Sequence, residues 1–190
     1  AIQQPGARLI AGGTDLLPNL KHRLDRPELL VSLAGVESLR HIVRDDQAGV
    51  LRIGAAVTLT DLSRDPHVTE LYKSLSTAAG LVASPSIRNM GTIGGNVNLD
   101  TRCRYVNQTE FWRSSLGGCL KSDGQVCHVV PSGKRCVAAL SSDLIPVLIS
   151  LEATAQLVSV RGTREVALDD YYRADGTAHT GRAPDELLTA

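Results

Sequence analysis

Residues 99–141 set the strongest limit on what this chain can fold into. They show almost no apolar periodicity, carry all four cysteines (Cys103, Cys119, Cys127 and Cys136) and are punctuated by Gly117-Gly118, Gly124 and Gly133. A segment this long without an apolar stripe buries no core of its own. It reads as an inserted loop carried by its flanks, and something functional has to order it, metal coordination being one candidate. The whole chain, 190 residues and 43% hydrophobic, is long enough to bury one sizeable core or two small subdomains sharing a cleft.

The flanks carry the regular structure. Arg8-Leu9-Ile10-Ala11 reads as a strand, Gly12-Gly13-Thr14 as a tight turn, and Asp15 as the N-cap of a helix with Pro18 in its first turn. Short strands are predicted at 29–33, 42–44 and 50–53, the last two joined by the turn residues Asp45-Asp46-Gln47-Ala48-Gly49. Beyond Asp65-Pro66, the spacing of Leu71, Leu75, Ala78, Ala79 and Val82 predicts one amphipathic helix that stops by Ser84-Pro85. A buried helix over 143–151 and a hairpin of 154–160 with 164–168 follow the insertion.

Twenty basic side chains balance twenty acidic ones, and no basic run exceeds two residues, which argues against a nucleic-acid or acidic-lipid surface. The apolar stretch from Leu144 to Val160 is broken by Glu152 and Gln156 and reads as helix then strand, so no membrane span is expected. No charged leader with an apolar stretch opens the sequence, which makes the cysteines expected cytoplasmic thiols rather than secreted disulfides. The strand-like start and absent initial Met lead us to expect a fragment of a longer protein.

Two glycine-rich turns carry the clearest chemistry. Ala11-Gly12-Gly13-Thr14-Asp15 lies between a strand and a helix, where backbone amides can meet an anion and absent Cβ atoms allow close approach. Gly91-Thr92-Ile93-Gly94-Gly95-Asn96 offers a second candidate nest, with the Thr92 and Asn96 side chains as further partners. Together they could embrace one diphosphate. Neither matches G-x-G-x-x-G or the P-loop, since Gly133-Lys134 is followed by Arg135.

The cysteines follow a C-x15-C-x7-C-x8-C pattern with no close C-x2-C pair. On chemistry alone, structural zinc, an iron-sulfur cluster, and free or disulfide-bonded thiols all stay open.

In order along the chain, AGGTDLLPNL (11–20), IGAAVTLTDL (53–62), IRNMGTIGGNVN (87–98) and SSDLIPVL (141–148) resemble the FAD subunit of the xanthine dehydrogenase and carbon monoxide dehydrogenase family of molybdenum hydroxylases. The resemblance spans nearly the whole chain apart from the insertion. It implies an α+β, two-subdomain FAD-binding fold of the vanillyl-alcohol oxidase type, about 1–55 forming the first subdomain and 56–190 the second. By position, Leu9, Ile10, Ala11, Gly12, Gly13, Thr14, Asp15 and Leu16 would wrap the diphosphate with Thr92, Ile93, Gly94, Gly95 and Asn96. Asp143 would bond the ribityl or adenosine side of FAD, and Leu188 would lie beside the isoalloxazine. Helix capping is the alternative for Asp143 and ordinary core packing for Leu188. The family's first strand-helix unit is expected to be missing before Ala1, and its C-terminal domain after Ala190.

The insertion, by its place and its four cysteines, resembles that of the 4-hydroxybenzoyl-CoA reductase β subunit. That implies a 4Fe-4S cluster on Cys103, Cys119, Cys127 and Cys136, with His128 a bystander. The implied role is an electron relay with no catalytic residue of its own. A ferredoxin-type donor would feed the 4Fe-4S centre, then FAD, then a 2Fe-2S small subunit and a molybdopterin-binding large subunit, in a hetero-oligomer such as a dimer of heterotrimers. Two rivals remain: an aerobic-type hydroxylase subunit whose FAD passes electrons to NAD or oxygen, and a non-enzymatic zinc-stabilised binding domain.

Overall fold

The computed structural model describes residues 2–190. Strand β1 (Ala7–Ile10) enters the first glycine turn, α1 (Leu16–Lys21) leaves it, and β2 (Leu29–Ser32) returns parallel to β1 with Ala7 opposite Leu29. A parallel pair needs a crossover, and α1 supplies it. A hairpin of β3 (Ile42–Asp45) and β4 (Val50–Ile53) follows, its turn closed by Asp45 Oδ1 accepting the Gln47 and Ala48 amides at 3.0 Å each.

Five helices then run in succession: α2 (Leu59–Arg64), α3 (Pro66–Leu71), α4 (Lys73–Leu81), α5 (Pro85–Arg88) and α6 (Ile93–Val97). The insertion contributes α7 (Glu110–Ser115). After it come α8 (Ile145–Ser150), β5 (Thr154–Ser159), β6 (Gly162–Ala167), α9 (Leu168–Tyr171) and β7 (Leu187–Leu188), with the three strands in the antiparallel order β6-β5-β7. Strands and helices thus segregate in the α+β manner expected.

The single helix expected beyond Asp65-Pro66 is two. Asp65 caps α3 by accepting the Val68 amide, and the chain leaves helical geometry at Tyr72 (φ −130°, ψ 53°) before α4 begins. Leu71 is therefore off the apolar stripe and exposed, while Leu75 and Ala79 are buried. Helix α2, which apolar spacing did not predict, is set by the Thr58 hydroxyl accepting the Asp61 amide and by burial of Leu59 and Leu62.

The core gathers α2, α3, α4, α8, α9 and the three-stranded sheet around Leu62, Val68, Leu144, Leu157 and Tyr171, none of which reaches solvent to any extent. Burying a large apolar side chain contributes about 1.5–3 kcal/mol each. Ile42, Leu51 and Ile53 of the hairpin pack against the same cluster. Among the described residues no helix is long and apolar enough to cross a membrane.

Candidate functional site

The two glycine turns are packed on one another. A Cβ placed on Gly12 would overlap the Met90 carbonyl, and Gly91 lies in the same contact, so the close approach is possible only with glycine at position 12. Gly13 holds φ at +71°, a left-handed value that L side chains adopt at a cost of about 1–2 kcal/mol. Among the described residues, the amides of Gly12, Gly13, Thr14 and Asp15 have no protein acceptor. Residues 9–16 are all half-buried. Four successive unpaired donors on a reachable turn are what an anion needs.

The second turn is different: the amides of Ile93 to Asn96 all have acceptors within the protein. Ile93 donates to the Val57 carbonyl, Gly94 to Ala55, Gly95 to Thr92 Oγ1 and Asn96 to the Thr92 carbonyl. Thr92, Ile93, Gly94 and Asn96 are buried, and only Gly95 is exposed. Gly94 is needed for packing, since a Cβ there would meet Ala55 at 2.7 Å. The Asn96 Oδ1 accepts the Ser142 hydroxyl at 2.5 Å instead of facing a ligand. The Tyr171 hydroxyl donates to Asn98 Oδ1 (2.7 Å) and that of Tyr172 to the Val97 carbonyl (2.9 Å), which fixes α6 from behind. The second turn is a rigid floor under the first.

Asp15 stands at the head of α1, but its side chain does not cap the helix as expected. It accepts Asn19 Nδ2 at 3.0 Å and pairs with Arg102 of the insertion. Asp143 is exposed, and Ser142 beside it accepts the Ile145 amide, so the serine caps α8. Leu188 lies on β7 opposite Leu157, 7% exposed within the core cluster.

All four cysteines line a single small cavity, partly open to solvent, together with Tyr105, Lys121, His128 and Val137. No thiol is in a disulfide, and Cys127 is the buried one. The Val130 amide, which donates to Cys127 Sγ at 3.4 Å, is the main cause that lowers this thiol's pKa, with burial opposing it. Burial raises that of Cys136, with the Ala138 amide and Lys121 opposing. Among the described residues no three His, Cys, Asp or Glu side chains are arranged to hold a single metal ion. Four thiols around one cavity are a donor set that suits zinc or an iron-sulfur cluster. His128 lines the cavity, its Nε2 lies 2.6 Å from the Gly118 carbonyl, and its ring packs on Tyr105.

The insertion is anchored by residues that sequence reasoning passed over. Arg113 of α7 is 6% exposed, and its guanidinium donates to the carbonyls of His22 (3.0 Å), Arg23 (2.9 Å) and Gln108 and to Ser122 Oγ (2.9 Å). Glu110 accepts Arg23 at 2.8 Å and also Arg26. No local spacing marks these arginines, because every acceptor from α1 lies some ninety positions away in the chain.

Over residues 1–190 the chain matches the family described as the FAD binding domain in molybdopterin dehydrogenase. It belongs to that family. It is 36% identical to the Escherichia coli K12 aldehyde oxidoreductase FAD-binding subunit PaoB, over 98% of this chain and 61% of the relative. The Afipia carboxidovorans carbon monoxide dehydrogenase medium chain is 31% identical over 97% of this chain and 49% of its own. Among solved structures, quinoline 2-oxidoreductase from Pseudomonas putida 86 superimposes with a TM-score of 0.71 at 28% identity, covering 98% of this chain and 50% of that one. The chain thus spans roughly half to three-fifths of these relatives, and is an FAD-binding domain of the molybdenum hydroxylase family with that family's α+β fold.

Proposed function

We propose that this domain belongs to the electron-transfer subunit of a molybdenum-containing aryl-CoA reductase of the 4-hydroxybenzoyl-CoA type, holding FAD and a 4Fe-4S cluster. The observation that carries the reading is the meeting of all four insertion cysteines in one cavity, which is anchored to the helix that leaves the first glycine turn. When bound, the two groups supply one- and two-electron redox chemistry, and the protein supplies position and environment. The amides of Gly12 to Asp15 would hold the diphosphate, with Leu9 to Ala11 and Leu16 framing it and the exposed Gly95 backbone facing it from the floor. Cys103, Cys119, Cys127 and Cys136 would hold the cluster. For Asp143 and Leu188 the support is the family resemblance alone. In the same reading FAD lies between residues 1–55 and 56–190, the whole protein acts in the cytoplasm, and its partners are a molybdopterin-binding large subunit, a 2Fe-2S small subunit and a ferredoxin-type donor.

The relatives' names favour one second reading, an FAD subunit of an oxidising dehydrogenase, since aldehyde oxidoreductase and carbon monoxide dehydrogenase are among them. The test is anaerobic purification of the full-length protein with its partners. The proposal expects bound flavin, about four irons with matching sulfide per chain beyond the partners' 2Fe-2S content, and reductive dehydroxylation of a phenolic CoA thioester. Flavin and iron with oxidation of an aldehyde or heterocycle would favour the second reading. Flavin without that iron would sink the cluster.

A further inference from the structure

Helix α1 is clamped at both ends by arginines of the insertion. At its head, Arg102, next to Cys103, pairs with Asp15, the last residue of the glycine turn. At its tail, Arg113 donates to the carbonyls of His22 and Arg23, where a helix leaves its last acceptors unpaired and favours a cation. The same guanidinium holds Ser122 Oγ, and the Ser122 carbonyl accepts the Cys119 amide. The clamps therefore link cysteines of the cavity to the helix that follows the unpaired amides of Gly12 to Asp15, through an ion pair at its head and hydrogen bonds at its tail.

Elsewhere the insertion is held by the paired backbones of Arg102 and Ala139, by Lys121 on Asp100 and Thr101, and by the Gly176 amide, which donates to the Cys136 carbonyl. The insertion's one helix is six residues long, and Phe111, Leu116, Val126, Val129 and Val137 are exposed rather than packed in a core. A guest held by all four thiols would fix the positions of Cys103 and Cys119, and with them Arg102 and the Ser122 turn.

We infer that the cysteine cavity and the FAD turn are thermodynamically coupled through α1, so that a filled cavity tightens FAD binding. This rests on the reading of the two sites given above. Reciprocity is required of any such coupling: bound FAD raises the affinity for the cavity's guest by the same factor. Arg102 and Arg113 are positioning residues here, touching neither group.

The experiment uses the full-length subunit, prepared anaerobically and either cluster-loaded or stripped with an iron chelator. FAD affinity is read by flavin fluorescence and cluster loss by iron absorbance under chelator. Stripping is expected to weaken FAD binding about tenfold, a typical size for coupling between sites. Arg102→Gln, at an exposed position, should bind FAD with closely similar affinity in both states, and FAD should no longer protect its cluster. Arg113→Lys keeps the charge but loses the fork and should reduce the coupling too. Equal FAD affinity for loaded and stripped wild-type protein, or full coupling retained in Arg102→Gln, would overturn the inference while leaving both sites in place. Wild-type protein without flavin or without iron would overturn the reading beneath it.

Discussion

Gly13 sits at a left-handed φ of +71° with Leu17 and Ile10 close around the place a Cβ would take. Gly13→Ala should lower stability by about 1–2 kcal/mol, read as a lower urea midpoint, and weaken FAD binding because the amides of residues 12–15 shift with it. Gly12→Ala should act through sterics instead: the new methyl meets the Met90 carbonyl and forces the two turns apart, costing about 1–3 kcal/mol as overpacking does. Arg113→Met should cost about 1–3 kcal/mol by equilibrium unfolding, since the carbonyls of His22, Arg23 and Gln108 lose a charged donor at once. A loss under 1 kcal/mol would mean that water replaces the guanidinium there and that the clamp is weak.

At the scale of elements, the latch between β6 and the approach to β7 carries a pH signature. Glu186 accepts Arg164 Nε at 2.7 Å and Nη2 at 2.8 Å, and the Ala183 amide at 2.7 Å. The Arg164 guanidinium is the largest cause that lowers its pKa from 4.5 to about 2. The folded state therefore favours the carboxylate, so the stabilisation is complete above pH 4.5 and is lost as pH falls from 4.5 toward 2. Urea unfolding at pH 5 and pH 3 should show wild-type protein losing more stability than Glu186→Gln, and parallel losses would refute the latch. Ser142→Ala should cost about 1 kcal/mol, because the hydroxyl both caps α8 and holds Asn96, and it should loosen the floor under the FAD turn.

These elements also show how far the chain could be read from its residues. Strand β1, the Gly12-Gly13 turn, α1 and the β5–β6 hairpin were legible because turn chemistry and alternation are local signals. The break at Tyr72 was not, since Asp65 capping and the exposure of Leu71 overrode the apolar spacing that joined α3 to α4. Gly12-Gly13 and Gly94-Gly95 look alike as text, yet Val57 and Ala55 take up the Ile93 and Gly94 amides through tertiary pairing, and Thr92 takes up those of Gly95 and Asn96. The cysteines named their own cavity. The Arg113 clamp stayed hidden because its acceptors beyond α1 are backbone carbonyls, which no side-chain pattern reveals, and the Arg102–Asp15 pair because the two residues are far apart in the chain.

At the scale of the whole molecule, the proposed FAD diphosphate would lie at the head of α1 and the proposed cluster beyond Arg102, with one short helix between the two sites. The most direct test is a crystal structure of the anaerobically purified full-length protein. The expected result is diphosphate oxygens within about 3.2 Å of amides among Gly12 to Asp15, and one iron-sulfur cluster bonded to Cys103, Cys119, Cys127 and Cys136. A diphosphate bound instead by the amides of Ile93 to Asn96, pulled from their Val57 and Ala55 partners, or a cavity holding zinc or nothing, would contradict it.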